Sequence, residues 1–225
     1  MSQKTPFSLL IGIHSIDSAL ARAPQQVRLV TIADECRNPR VQELAGRARG
    51  AGVQVVTESR AVLDRRSEDQ RHQDIIAEFE ANNIGTEKDL GRVLDEIEGT
   101  PLVLVLDGVQ DPHNLGACLR TAEAAGVNLV ILPKDGSAGL TPAARRSASG
   151  AAEVLPVLFV TNLARVLRQL KDRGIWLAGT TDSASASLYE TDLSGPLGLV
   201  MGSEGRGMRR LTRERCDALV RLPML

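Results

Sequence analysis

The chain has 225 residues, 43% of them hydrophobic and 24% charged, which is enough for one large or two modest domains with a buried core. Aromatic residues make up only 2%, so Leu, Val, Ile and Ala must fill the core, and a platform of stacked aromatics for single-stranded RNA is disfavoured. The net charge of −1 lacks the strongly basic character that usually announces a nucleic-acid partner, and no run reaches the roughly 18 apolar residues of a membrane span.

Residues 1–79 alternate short β-like runs with helical ones. Val27 to Ile32 reads as a strand, Arg40 to Arg49 as a helix, Val53 to Thr57 as a strand, the residues near Arg60 as a short helix, and Ile75 to Phe79 as a last strand. This is the pattern of a small α/β unit. Its arginines, among them Arg28, Arg37, Arg40, Arg47, Arg49, Arg65, Arg66 and Arg71, make it locally basic. They form either a surface for something anionic or an ordinary solvated face. Residues 80–98 turn polar and acidic, with Asn82-Asn83 and two glycines before a short amphipathic helix on Leu90, Val93, Leu94 and Ile97; a linker between domains is placed here.

Residues 99–225 resume the alternation. Strands are expected at Leu102 to Leu106, Asn128 to Leu132, Val154 to Val160, Ile175 to Gly179 and Leu197 to Met201, with helices after Pro112, from Thr141 and over Leu163 to Arg173. That pattern predicts a parallel, doubly wound sheet, so the fold class is α/β in both halves. In the helix from Leu163, Asn162 is the cap, Leu163, Val166, Leu167 and Leu170 make one apolar stripe, and Gly174 ends it.

The stretch Asp107 to Gly126, DGVQDPHNLGACLRTAEAAG, sets a turn rich in polar groups directly behind a buried strand. Either Asp111 caps the following helix, with Pro112 at its first position, or Asn114 does. Leu115, Cys118, Leu119 and Ala122 fall on the sheet-facing side. His113, Gly116, Ala117, Arg120 and Ala124 share the other, where small residues around one arginine would let a second body approach, either another subunit or an RNA backbone. Taken alone, Arg120 is equally an ordinary surface arginine and Asn114 an ordinary cap.

A second candidate is Val200 to Met208, VMGSEGRGM, a strand followed by a glycine-rich loop carrying Glu204. Its order G-x-x-G-x-G near the chain end does not fit the dinucleotide fingerprint, which excludes a nicotinamide dehydrogenase. Arg206, Arg209, Arg210, Arg213 and Arg215 then crowd ten residues and suggest a phosphate-contacting helix.

Four of the 27 basic residues are lysines (Lys4, Lys88, Lys134, Lys171) and the rest arginine, whose planar fork suits phosphate; a base-composition bias explains the ratio equally well. Cys36, Cys118 and Cys216 lie far apart with no ligand spacing to the histidines, so neither a metal nor a disulfide framework is expected. The N-terminus MSQKTPFSLLIG lacks a signal-peptide layout, which points to a cytoplasmic protein.

DGVQDPHNLGACLRTAEAAGV, LVMGSEGRGM and the terminal RLPM together resemble the three ordered motifs of the SpoU/TrmH family of RNA ribose 2′-O-methyltransferases, in the SPOUT superfamily. The likeness runs over the whole chain, including GIHSIDSAL and HQDIIA, and is nearest to the branch that methylates a guanosine in the peptidyl-transferase P-loop of 23S rRNA. The resemblance implies a ribosomal-protein-like RNA-binding domain and a C-terminal SPOUT domain tied in a trefoil knot, with S-adenosylmethionine as methyl donor and a homodimer with its active site at the subunit interface. By motif it implies Asn114 and Arg120 as the catalytic pair, Glu204 as a supporting carboxylate, and Gly202 and Leu222 as donor-pocket residues. In the family a Ser-Leu-Asn-Val-Ser helix follows the third motif and finishes knot, pocket and dimer. The chain as given stops at Leu225, which on this reading leaves the SPOUT domain without its last segment. A tRNA substrate and a non-catalytic RNA-binding protein remain the alternatives.

Overall fold

The apolar runs of the N-terminal part build a four-stranded sheet: β1 (Ser8–Ile11), α1 (Ile13–Arg22), β2 (Val27–Ala33), α2 (Pro39–Gly50), β3 (Gln54–Glu58), α3 (Arg60–Arg66) and β4 (Ile75–Phe79). The computed structural model describes residues 7–80 and 84–223. The chain divides into two units, Met1–Asn83 with Ser149–Val154, and Ile84–Ala148 with Leu155–Leu225.

In the first unit the sheet order is β1-β4-β2-β3, with β2 and β3 parallel and β4 antiparallel to both its neighbours. Asn38 caps α2 by accepting from the Arg40 amide, and Val41, Leu44, Ala45 and Ala48 form its buried stripe beside Ile13, Ile16, Ala19 and Leu20 of α1. The pair β1 and α1 has no counterpart among the expected elements. Its strand is four residues long with one fully buried side chain, Leu10, which is too short for a period to emerge. Of the arginines, Arg47 pairs with Asp17, Arg60 with Asp74 and Arg66 with Glu78, and Arg28 lies over the Phe7 ring. Arg37, Arg40, Arg49, Arg65 and Arg71 are exposed.

The second unit contains β5 (Ile84–Thr86), α4 (Leu90–Asp95), β6 (Leu102–Asp107), α5 (Pro112–Ala124), β7 (Leu129–Pro133) and α6 (Pro142–Ala148). The next helix, α7 (Ala151–Val154), belongs to the first unit, where Val154 joins the core and the Ser15 hydroxyl donates to the Ser149 carbonyl at 2.8 Å. The second unit then continues with β8 (Val157–Val160), α8 (Leu163–Asp172), β9 (Trp176–Thr180), β10 (Ala186–Ser187), β11 (Leu197–Gly202), α9 (Arg210–Arg215) and β12 (Ala218–Arg221). All eight of its strands are parallel, in the order β10-β12-β9-β11-β6-β7-β8-β5. The central strands are apolar on both faces, as a parallel sheet covered by helices requires. Among the described residues no helix is long and apolar enough to cross a membrane.

The stretch read as a linker, residues 80–98, is folded from Ile84 onward. β5 is the outermost strand, pairing with β8, and Leu90, Val93 and Leu94 of α4 enter the second core. Its polar composition reflects an edge position and not a free tether. The anchor is Glu87, whose carboxylate accepts from the Thr161 amide at 2.7 Å, the Thr161 hydroxyl at 2.6 Å and the Arg165 guanidinium at 2.6 Å.

These bonds, the Thr161 hydroxyl first, hold the Glu87 carboxyl below its ordinary value of 4.5. A carboxyl whose pKa is depressed on folding stabilises the fold above its unfolded value, and that contribution disappears as pH falls through the folded one. Glu87→Gln is therefore expected to lower unfolding stability at pH 7 by about 1–3 kcal/mol, with the difference from wild type shrinking once the pH is taken below 4.5. Urea titrations of both proteins at several pH values measure this; a constant difference down to pH 3 would remove the ionised carboxylate from the explanation.

Candidate active site

Two chain segments meet where β6 and β11 end. In the first, Asp111 caps α5, its Oδ1 accepting from the amides of His113 at 2.7 Å and Asn114 at 2.9 Å, with Pro112 at the first helical position. Capping thus falls to Asp111, and the Asn114 side chain is released for another partner. Leu115, Leu119 and Ala122 are buried toward the sheet. Cys118 on the same side is half-buried, and burial raises its thiol pKa.

The second segment leaves β11 at Gly202 and turns back on itself. The amides and carbonyls of Ser203 and Gly207 bond to each other, at 3.1 and 2.9 Å, so Glu204, Gly205 and Arg206 form the tip of a tight loop. A Cβ on Gly202 would lie 2.1 Å from the Gly207 carbonyl carbon and 2.2 Å from the Met208 nitrogen. Only glycine admits that approach.

A cavity of about 650 Å³ opens between these segments, with Leu106, Val109, Cys118 and Met201 as apolar walls and Gln110, Asn114 and Glu204 as polar ones. Across it Asn114 Nδ2 donates to Glu204 Oε2 at 3.4 Å. On the other side of the loop a second cavity of about 410 Å³ is lined by Thr180, Thr181, Asp182, Gly202, Arg206, Arg213 and Leu222. The position follows from topology. From β6 the chain proceeds to β7 and β8 on one side, while β9, β11 and β12 lie on the other, and in open α/β sheets ligands bind outside the strand ends where the order reverses. Among the described residues no group of three or more His, Cys, Asp or Glu is arranged to hold a metal.

The structure brings Asn114, Glu204 and Gly202 to the larger cavity, and Gly202 and Leu222 to the smaller. Arg120 lies on the exposed side of α5 and lines neither; no described residue pairs with it. The small-residue face around Arg120 needs correction. Gly116 is buried under α6, where its Cβ would meet the Ala144 carbonyl oxygen and Ser147 Cβ at 2.4 Å, and His113 Nδ1 lies 3.0 Å from the Ser147 hydroxyl. That part of the face packs within the chain, leaving Ala117, Arg120 and Ala124 exposed. The phosphate-contacting helix is also reduced, since Arg209 pairs with Asp107, Arg210 with Glu214, and Arg213 reaches the Thr181 hydroxyl. Thr180, Thr181 and Asp182 were not foreseen; the signal was their position at the C-terminal end of a parallel strand, Thr180 closing β9 and the other two following it.

A model of the SpoU rRNA methylase family matches residues 101–225. The chain belongs to that family. A model described as RNA 2′-O ribose methyltransferase substrate binding matches residues 9–84. The 23S rRNA (guanosine-2′-O-)-methyltransferase RlmB of Pseudomonas syringae pv. tomato is 50% identical over 215 residues, 96% of this chain and 86% of that protein. A crystal structure of an RNA 2′-O ribose methyltransferase is 28% identical with a TM-score of 0.67, covering 98% of this chain and 80% of that one. The SpoU methyltransferase AviRb from Streptomyces viridochromogenes, solved in complex with the cofactor AdoMet, has the same fold at 23% identity and a TM-score of 0.67, covering 98% and 82%. The chain is thus a SpoU-type methyltransferase on an α/β SPOUT fold.

In this SpoU chain Gly116→Ala should push α6 off α5, because the obstructing atoms are largely backbone, and cost about 1–3 kcal/mol or more. Urea unfolding measures it; a variant as stable as wild type would show that the helix contact is looser than described.

Proposed function

We propose that this chain transfers a methyl group from S-adenosylmethionine to the ribose 2′-hydroxyl of a guanosine in the peptidyl-transferase P-loop of 23S rRNA, in the cytoplasm and as a homodimer. The observation that carries this reading is the 50% identity over 96% of the chain to a protein bearing that activity in its name. The substrate-binding match over residues 9–84 and the exposed arginines of the first unit support RNA as the partner.

The smaller cavity suits the methyl donor. Its volume is within the range of small-molecule sites. Its wall offers the glycine-loop backbone, two threonines, one carboxylate and the Arg206 and Arg213 guanidiniums, a donor set matched to a zwitterionic amino acid joined to a nucleoside. Gly202, Leu222, Thr180 and Thr181 would hold it. When bound, S-adenosylmethionine supplies an electrophilic methyl group on a positively charged sulfur.

The chain's own task is to present the 2′-oxygen. A carboxylate only accepts, so Asn114 must turn Nδ2 toward Glu204 and its Oδ1 away, leaving an acceptor that can fix the hydroxyl proton or the Arg120 fork. Glu204 in turn fixes the amide. Arg120 has no competing partner among the described residues. It grips the phosphate beside the target ribose and stabilises the negative charge that develops on the 2′-oxygen as its proton passes to solvent water. A guanidinium with pKa above 12 is unsuited to be the base, and positioning supplies much of the rate.

Incubating the chain with 23S rRNA, tRNA and the methyl donor, then mapping 2′-O-methylated nucleotides, tests the reading. Methylation of one 23S guanosine is expected. Methylation of tRNA alone would move the substrate, and RNA affinity without saturable donor binding in calorimetry would make the chain a binder only.

Arg120→Lys should lose roughly tenfold to a hundredfold in kcat although the charge is kept, because the two-pronged contact is lost. Arg120→Ala should leave donor affinity nearly intact. Wild-type turnover in the lysine variant would sink the phosphate-fork role, and a matching loss of donor affinity would move Arg120 into the donor pocket.

A further inference from the structure

The mechanism above leaves one buried charge unused. Asp107 is the last residue of β6, and its side chain has no solvent exposure. Burying a carboxylate is costly unless it is paired and hydrogen-bonded. Its shortest contact is to the main chain: the Arg209 amide donates to Oδ2 at 2.8 Å. The Arg209 side chain is less committed, with Nε 3.5 Å from Oδ1, half its surface exposed, and Nη2 donating to the Asp135 carbonyl at 2.9 Å. Oδ1 has no hydrogen bond.

Asp107 is also the register partner of Gly202. The loop from Gly202 to Met208 is therefore tied to one residue at both ends: its first residue pairs beside Asp107 in the sheet, and the residue after its last donates to the Asp107 carboxylate. Between these ties the loop carries Glu204 toward Asn114 and presents Ser203, Arg206 and Gly207 to the smaller cavity.

We propose that Asp107 is a positioning residue for methyl transfer, clamping the glycine loop through the Arg209 main-chain amide so that Glu204 and the donor-cavity wall are held together. This rests on the functional reading above. Asp107 touches neither substrate nor donor; it acts through the loop.

The amide can be deleted almost alone. Arg209 has φ −60° and stands at the N-cap of α9, a backbone conformation proline adopts while removing the N–H. Arg209→Ala removes the side chain and keeps the N–H. Asp107→Ala removes both acceptor oxygens, whereas asparagine would keep a carbonyl able to accept from the Arg209 N–H, and the exposed guanidinium left behind can turn to water.

The experiment compares the three variants by amide hydrogen exchange at Ser203 and Gly207, by donor affinity, by kcat at saturating RNA and donor, and by RNA affinity. Arg209→Pro and Asp107→Ala should each speed exchange at both amides and lower kcat by about tenfold or more, and weaken donor binding. RNA affinity should stay within about twofold, since the first unit is untouched. Arg209→Ala should stay near wild type, and a fourth protein, the double variant Asp107→Ala with Arg209→Pro, should be little worse than the worse single one.

The proposal is overturned if Asp107→Ala leaves exchange and kcat as in wild type. It is equally overturned if that variant does not fold or loses activity only in step with its melting temperature, which makes Asp107 a structural residue, or if Arg209→Ala falls as far as Arg209→Pro, which makes the side-chain ion pair the agent. A wild-type chain that methylates no RNA fails the functional reading instead, and the exchange rates then still decide whether Asp107 holds the loop.

Discussion

The site depends on the parallel pairing of β6 with β11, which runs in register from Leu102 beside Leu197 to Asp107 beside Gly202. Parallel strands bring their C-terminal ends to the same edge, so the two polar segments that follow them start side by side although about a hundred residues separate them in sequence. Each strand alone would deliver a turn to the surface. Paired in this register, they deliver Asn114 and Glu204 to opposite walls of one cavity. The ends of the strands mark this register: Asp107 lies beside Gly202, and its carboxylate accepts from the Arg209 amide that closes the glycine loop.

Close packing decides which surfaces remain for partners. α5 carries small residues on two sides, and α6 takes one of them, with Gly116 under the backbone of Ala144. A helix that presses so closely on its neighbour fixes the direction of the residues flanking the contact, so Ala117 turns toward the larger cavity while Arg120 is left exposed. Close packing on one side of α5 fixes the helix itself, while Arg120 on the other side has no partner among the described residues.

How much of this the sequence carried depends on the kind of signal. Asp111-Pro112 as a helix start, the stripe of α8 and the central strands were legible, because capping and periodicity are local. The short strands β1, β5, β10 and β12 were not: two to four residues give no period, and their identity comes from the neighbours they pair with. Gly116 and Arg209 illustrate a different limit. A small residue in a helix marks a close approach without saying to what, and an arginine in a basic cluster marks charge without saying whether Asp107 in the fold has already engaged it. Composition likewise placed a linker at residues 80–98, and from Ile84 onward these residues form an edge strand and a short helix anchored through Glu87.

Chemistry at the larger cavity is narrowed by what its walls can protonate. The Cys118 thiol is raised by burial, and Cys216 outside the cavity is pushed to about 11, burial first and the neighbouring Asp217 second, so neither thiol is a ready nucleophile or base. His113 is engaged with Ser147 on the far side of α5. Asp111 commits one oxygen to two helix amides. Glu204 is the carboxylate on the wall that no backbone amide of the described chain holds, and its bond to Asn114 is long, at 3.4 Å. The loop that carries Glu204 is held more firmly at its base than at its tip, because Gly202 pairs beside Asp107 in the sheet and the Arg209 amide donates to the Asp107 carboxylate at 2.8 Å.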